Sequence, residues 1–362
     1  MPPSAPFTPE DRPVIVLGAG ATKACGGPLT GEILPRAFGL GVQHAELLEP
    51  IDRLLIEKFN VPENAADRRE SDYPPLPLVL SLLDMAIDRR HALGPQWDSA
   101  RLREARASAE YAVFGVIERM LEHPDSFSPH THLFRRITQA TGAPARAISL
   151  NYDLLADNAM IEAGDGRYPE YGCDIATGAY KESERHGELL KLHGSLNLIY
   201  CPTCHRLDMG IGRSGYTYKI ARNTFDAPAL DESFERRRET KCRDCGTPPR
   251  PVMITPTTMK DYRNPHISRV WYQAQRALRD CNRLVFIGYS LPWDDTDVIY
   301  LLKRGAGHLP PERITIVEHG EPHAPGKPRD EHEVGRRYQA IFGRGVDFQP
   351  IGFLGWLHAN MP

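Results

Sequence analysis

The chain has 362 residues, 41% of them hydrophobic and 25% charged, with a formal net charge of −3 at pH 7. That composition suits a globular protein of one large or two smaller domains, and it excludes a global basic field that would draw the chain to nucleic acid or an anionic membrane. No apolar stretch approaches the roughly 18–20 residues of a membrane span, and the Pro-rich start lacks the basic and apolar regions of a secretory signal.

The first predicted element is a strand at Val14-Ile15-Val16-Leu17, running into Gly18-Ala19-Gly20-Ala21-Thr22. A strand entering a glycine pair lets backbone N–H groups and a helix N-terminus approach a phosphate. The same glycines would also serve a plain strand-to-helix turn. The next glycines come late, at Gly26-Gly27-Pro28, and residues 38–41 hold no acidic partner for a ribose. An ordinary dinucleotide-binding dehydrogenase is therefore excluded.

Helical periodicity follows over residues 30–38, 45–59, 76–91, 98–121 and 130–141, interrupted by a Pro-rich, charged loop at 62–77. Strand-like runs return at 146–150, 189–192, 252–255, 283–287 and 313–317, with helical candidates at 154–163, 267–280 and 294–304 between them. Such alternation predicts a parallel sheet covered on both faces. A loop at 320–328 and a short helix at 336–342 close the pattern, and the basic cluster Glu235-Arg236-Arg237-Arg238 reads as a solvated face.

Two segments place proton-handling side chains at the carboxyl ends of predicted strands, where open α/β sheets build their crevices: Asn151-Tyr152-Asp153 and Leu192-His193-Gly194-Ser195. Gly288-Tyr289-Ser290-Leu291 lies at the same edge. The strongest local signal is Cys201-Pro-Thr-Cys204 with Cys242-Arg-Asp-Cys245. Two thiolate pairs of this spacing complete a closed tetrahedral zinc site, which makes the metal structural. Of seven cysteines, the three others (Cys25, Cys173, Cys281) are expected to pack as small apolar residues, with Cys25 a candidate neighbour of the ligand. Cysteine usage of this kind belongs to a reducing cytoplasm.

The order Gly-Ala-Gly, Asn-x-Asp, Leu-His-Gly-Ser, two Cys-x-x-Cys pairs and Gly-x-Ser-Leu resembles the sirtuin family over residues 14–318. The resemblance implies an α/β fold: a Rossmann-like parallel sheet with a helical insertion at about 30–141 and a small zinc-ribbon module. The expected organisation is a first part of the core at 12–199, the zinc module at 200–250, and a second part with a C-terminal extension at 251–362. It also implies NAD+ as a consumed substrate. Gly18, Ala19, Gly20, Ala21, Thr22 and Pro28 would line its pyrophosphate side, and Asn151 and Asp153 the nicotinamide ribose. His193 would be the general base. Gly288, Tyr289, Ser290 and Glu318 would meet the adenosine, and Zn2+ would sit on Cys201, Cys204, Cys242 and Cys245. Asp153 is either a stabiliser of positive charge or a brace for its loop.

Deacylating sirtuins carry an Asp-Phe-Arg segment in the cofactor loop, where this chain has Gly27-Pro28-Leu29-Thr30-Gly31. They also carry a Phe-Gly-Glu-type segment that receives an acyl-lysine strand; here the sequence is Ile254-Thr255-Pro256-Thr257-Thr258-Met259-Lys260. Pro256 removes a backbone donor there. Asn151-Tyr152-Asp153 and Gly288-Tyr289-Ser290-Leu291-Pro292 look instead like the bacterial sirtuin-like NAD hydrolases of antiphage systems. That implies cleavage of NAD+ to nicotinamide and ADP-ribose. It further implies restraint by homo-oligomerisation or by a separately encoded partner, such as a ring ATPase or an Argonaute-like protein. The rival readings are a deacylase or ADP-ribosyltransferase, and a noncatalytic subunit sensing NAD or ADP-ribose.

Overall fold

The computed structural model describes residues 7–40, 45–121, 128–209, 241–257, 260–319 and 333–360. The basic cluster at 235–238 and the loop expected at 320–328 lie outside them. Among the described residues the main sheet has seven strands, all parallel. They are β1 (Pro13–Leu17), β2 (Arg146–Ser149), β3 (Tyr168–Glu170), β4 (Arg185–Lys191), β8 (Arg283–Ile287), β9 (Ile314–Val317) and β10 (Asp347–Gln349), in spatial order β10-β9-β8-β1-β2-β4-β3. β1, β8 and β9 are continuous apolar runs because both faces of the sheet are covered: all of β1 and β9 are buried. From β1 the chain builds one half of the sheet through β2, β4 and β3, then crosses back to β8, β9 and β10. The direction of strand addition thus reverses between β1 and β8, and a crevice forms at such a point beyond the carboxyl ends.

The helices on the main sheet are α1 (Ala19–Lys23), α6 (Pro129–Thr141), α7 (Leu155–Ala163), α9 (Pro265–Asp280), α10 (Thr296–Gly305), α11 (Glu333–Phe342) and α12 (Gly352–Asn360), with a short α8 (Gly178–Glu182) beside β3. Their starts are chemically marked. Ser128 Oγ accepts the Thr131 N–H before α6, and Asn264 Oδ1 accepts the His266 N–H before α9, with Pro265 as its first residue.

Between β1 and β2 the chain builds a separate layer from α2 (Ile33–Gly39), α3 (Glu49–Phe59), α4 (Leu76–Arg89) and α5 (Ser99–Met120). It has its own core, including Ile51, Leu54, Leu80, Leu83, Leu102 and Val116. Asp98 caps α5 by accepting from the amides of Ala100 and Arg101 at 3.0 Å each. The Pro-rich loop before α4 is fastened: Arg68 bonds Asp52 and the carbonyls of Pro62 and Glu63.

The run at 252–255 does not join the parallel sheet as its apolar character suggests. It forms β7 (Arg250–Met253), an edge of a second, antiparallel sheet with β5 (Gly194–Tyr200) and β6 (Leu207–Met209), in order β6-β5-β7. The cause is the turn at His193-Gly194. Gly194 has φ +84°, and a Cβ there would sit 2.1 Å from the Val252 carbonyl oxygen, so only glycine lets the chain fold back onto β7.

Candidate functional site

At the carboxyl end of β1 the chain passes so close to the loop after β8 that neither can carry a side chain. A Cβ on Gly18 would lie 2.5 Å from the Gly288 oxygen, and one on Gly288 (φ +63°) would lie 2.2 Å from the Ala21 nitrogen. The amides of Gly18 and Gly20 donate to the carbonyls of Ile287 and Gly288 at 3.0 and 2.8 Å. These glycines therefore weld two strand ends together, and both N–H groups are spent within the protein. Ala19 and Gly20 are half-buried, while Ala21, Thr22 and Pro28 are buried.

The loop after β2 is tied to this weld. Asn151 Nδ2 donates to the Gly18 carbonyl and to Thr22 Oγ1, both at 2.9 Å. Thr22 Oγ1 in turn donates to Asp153 Oδ2 at 2.5 Å, and the other Asp153 oxygen accepts the Leu155 N–H at 3.0 Å. Both carboxylate oxygens are engaged in holding the loop. Asn151 Oδ1, by contrast, has no protein partner among the described residues.

Beneath the loop lies a buried ion pair. Lys191 Nζ meets Asp157 Oδ2 at 2.9 Å, with side chains 2% and 1% exposed, and also donates to the Asp153 carbonyl. Tyr171 Oη donates to the same Asp157. A lysine inside the apolar run of β4 was the signal for this anchor. Removing one partner of such a pair leaves a charge stranded in the core, at a typical cost of about 3–5 kcal/mol.

His193 follows β4. Its Nδ1 lies 3.2 Å from the Leu150 carbonyl, which can only accept, so the proton sits on Nδ1. Nε2 is left as a buried lone pair with no partner among the described residues. Burial pushes the imidazole down to about 4, opposed by Asp295 and reinforced by Lys260. Those two residues escaped the sequence reading. Lys260 pairs with Asp295, which accepts from Tyr289 Oη at 2.6 Å. The acidic run Asp294-Asp295-Thr296-Asp297 is the trace of this cluster in the sequence. Tyr289 is 7% exposed and turned inward, whereas Ser290 is exposed.

On the other side of β1, Glu318 follows β9. Its Oε1 accepts the His319 N–H at 3.2 Å, and its Oε2 is buried without a partner among the described residues. Burial holds this carboxyl above its ordinary range. Cys25 stands 3.6 Å from Nδ1 of the buried His130, while Cys173 and Cys281 pack in the core.

The four cysteines of the small module meet. Cys201 Sγ is 3.4 Å from Cys245 Sγ, and Cys204 Sγ is 3.5 Å from Cys242 Sγ, with all four ligand atoms within 4.8 Å of one another. Tetrahedral zinc with bonds of about 2.3 Å separates its sulfurs by about 3.8 Å, so the donor set fits. The two knuckles match in backbone: the Cys201 amide donates to Arg206 and the Cys242 amide to Thr247, with His205 and Gly246 at positive φ. Arg206 bridges them through Asp208 and Asp244. Cys242→Ser is expected to reduce zinc from one atom per chain toward none and to expose the module to protease, because structural zinc contributes folding free energy directly. Elemental analysis and limited proteolysis of the purified variant check this; undiminished zinc refutes the assignment.

No family model matches the chain, and no curated protein matches it. Solved structures similar to it include a Sir2 homolog–NAD complex, at 15% identity over 97% of this chain and 90% of that chain, with a TM-score of 0.44. Another belongs to work on the mechanism and regulation of Sir2 enzymes, at 16% identity over 91% of this chain and 90% of that one, with a TM-score of 0.41. A third is Sir2 bound to acetylated peptide, at 14% identity, 93% and 94% coverage and a TM-score of 0.39. No helix among the described residues is long and apolar enough to cross a membrane.

Proposed function

We propose that the chain is a sirtuin-like NAD+ glycohydrolase, breaking the bond between nicotinamide and ribose and releasing ADP-ribose. The observation that carries this reading is a pair of buried polar atoms, His193 Nε2 and Glu318 Oε2, unpartnered among the described residues and on opposite sides of the switch point. The strands bearing them, β4 and β9, are four steps apart in the sheet, about 19 Å at the usual strand spacing. A mononucleotide does not reach across that distance; an extended dinucleotide does, with a ribose at each end.

In this reading Glu318 accepts from the hydroxyls of the adenosine ribose, and the pyrophosphate passes over the half-buried Ala19 and Gly20 at the end of β1. Asn151 presents Oδ1 to the nicotinamide ribose or to water. Its amide nitrogen is already fixed, so little orientation is lost on binding. Asp153 braces the loop through Thr22. His193 accepts a proton at Nε2. The C1′–N bond breaks with its electron pair leaving on nicotinamide, and water oxygen bonds C1′ as its proton departs. The sequence around Asn151 and Gly288 supports an antiphage role.

The experiment is incubation of the purified chain with NAD+ alone, and then with acetyl-lysine peptide. Nicotinamide and free ADP-ribose in equal amounts, unchanged by peptide, are expected. O-acetyl-ADP-ribose formed in step with nicotinamide would replace this reading with a deacylase.

A further inference from the structure

Among the described residues β7 is an edge strand, and an edge beside a reactive centre is a general docking place for an extended peptide. Here the chain beyond that edge is folded away. Ile254 continues the ladder, its N–H donating to the His193 carbonyl at 2.8 Å, and its carbonyl accepts from Tyr152 Oη at 2.6 Å. The Thr255 carbonyl is turned back onto the Thr257 amide at 2.8 Å, and Pro256 between them has no N–H. Thr255 and Thr257 are only 4% and 6% exposed.

What holds this segment comes from the helical layer, far away in sequence. Arg106 on α5 donates through Nη2 to Thr255 Oγ1 at 2.6 Å. Its other nitrogens are fixed by Asp84 on α4 at 2.6 Å and by Glu110 at 2.9 Å. The guanidinium is therefore aimed by two carboxylates at one hydroxyl. Tyr152 lies between Asn151 and Asp153, so the same loop that presents Asn151 also clamps Ile254. Burial raises the tyrosine above its ordinary range, keeping Oη a donor.

We propose that Arg106 and Tyr152 form a latch that closes the edge beside His193 to an added polypeptide strand, reserving the reaction for a small nucleophile such as water. The inference rests on the hydrolase reading, yet it concerns residues outside the proposed chemistry.

The test uses the full chain with three single variants: Thr255→Val and Tyr152→Phe, each of which removes one hydroxyl with little change of shape, and Arg106→Lys. Hydrogen exchange at the Ile254 and Thr257 amides is expected to accelerate about five- to tenfold in the first two, the worth of one net hydrogen bond. Arg106→Lys, which retains a donor, is expected to fall between them and the parent. In parallel, a fluorescent acetyl-lysine peptide is titrated in the presence of ADP-ribose. The parent should not bind it at millimolar concentration, and the opened variants should.

Exchange within twofold of the parent in both hydroxyl variants overturns the latch. Faster exchange with no peptide binding overturns its role in selecting the acceptor, as does peptide binding by the parent itself. Failure of the parent to release nicotinamide removes the hydrolase reading while leaving the exchange result to stand or fall alone.

Discussion

Asn151→Ala is expected to lower nicotinamide release by about 10²–10³-fold, the usual cost of losing one preorganised polar group at a reacting centre. The side chain is half-buried at the crevice and contributes little core volume, so folding should survive. It will not be untouched, however. The amide nitrogen holds both the Gly18 carbonyl and Thr22 Oγ1, and losing those bonds should cost about 1–2 kcal/mol of stability. Denaturant unfolding measured beside the turnover assay separates the two effects. Undiminished nicotinamide release by a folded variant would remove Asn151 from the mechanism.

His193→Ala should lower hydrolysis by about 10²–10⁴-fold, the range of general-base catalysis. The pH profile of the parent is more diagnostic. Because burial pushes this imidazole down to about 4, Nε2 keeps its lone pair throughout neutral pH. Nicotinamide release should therefore be level from about pH 5 to 8 and fall only as acidity approaches 4. A midpoint near the ordinary histidine value of about 6.5 would contradict the burial argument. Stability carries the same sign. His130, also pushed down to about 4, and His193 both bind protons more readily when unfolded. Their contribution is complete above about 6.5 and is lost as pH falls toward 4.

Much of the architecture was legible because it rests on local chemistry. Apolar periodicity announces the helices over 98–121, 130–141 and 267–280, the apolar runs of β1, β8 and β9 announce buried parallel strands, and the cysteine pairs announce their own meeting. The strands β3, β6 and β10 were not legible: three residues give no periodicity, and their pairing is set by neighbours elsewhere in the chain. β5 was hidden because it begins at Gly194, which reads as a turn. The 252–255 run was visible as a strand, but its sheet was decided by Gly194, some sixty residues earlier. At the candidate site, residues that stand at strand ends could be named from their positions. Direction could not: nothing in the sequence shows Tyr289 turning inward to Asp295, or Asp153 spending both oxygens on its own loop. Arg106 reaching Thr255 is a product of tertiary packing between the helical layer and β7.

The central position of β1 sets a schedule for the newborn chain. Val14 pairs on one side with Leu284, and Ile15 pairs on the other with Ala147. At about 5–20 residues per second, a ribosome leaves this wholly apolar strand without its later neighbour for tens of seconds. Through that interval Gly18 has no Gly288 to lean on, and the crevice has only one wall. On the proposed function, the chain would consume no NAD+ until Gly288 has been made. The same delay leaves an apolar strand exposed, so depleting chaperones is expected to lower the soluble yield in the cell.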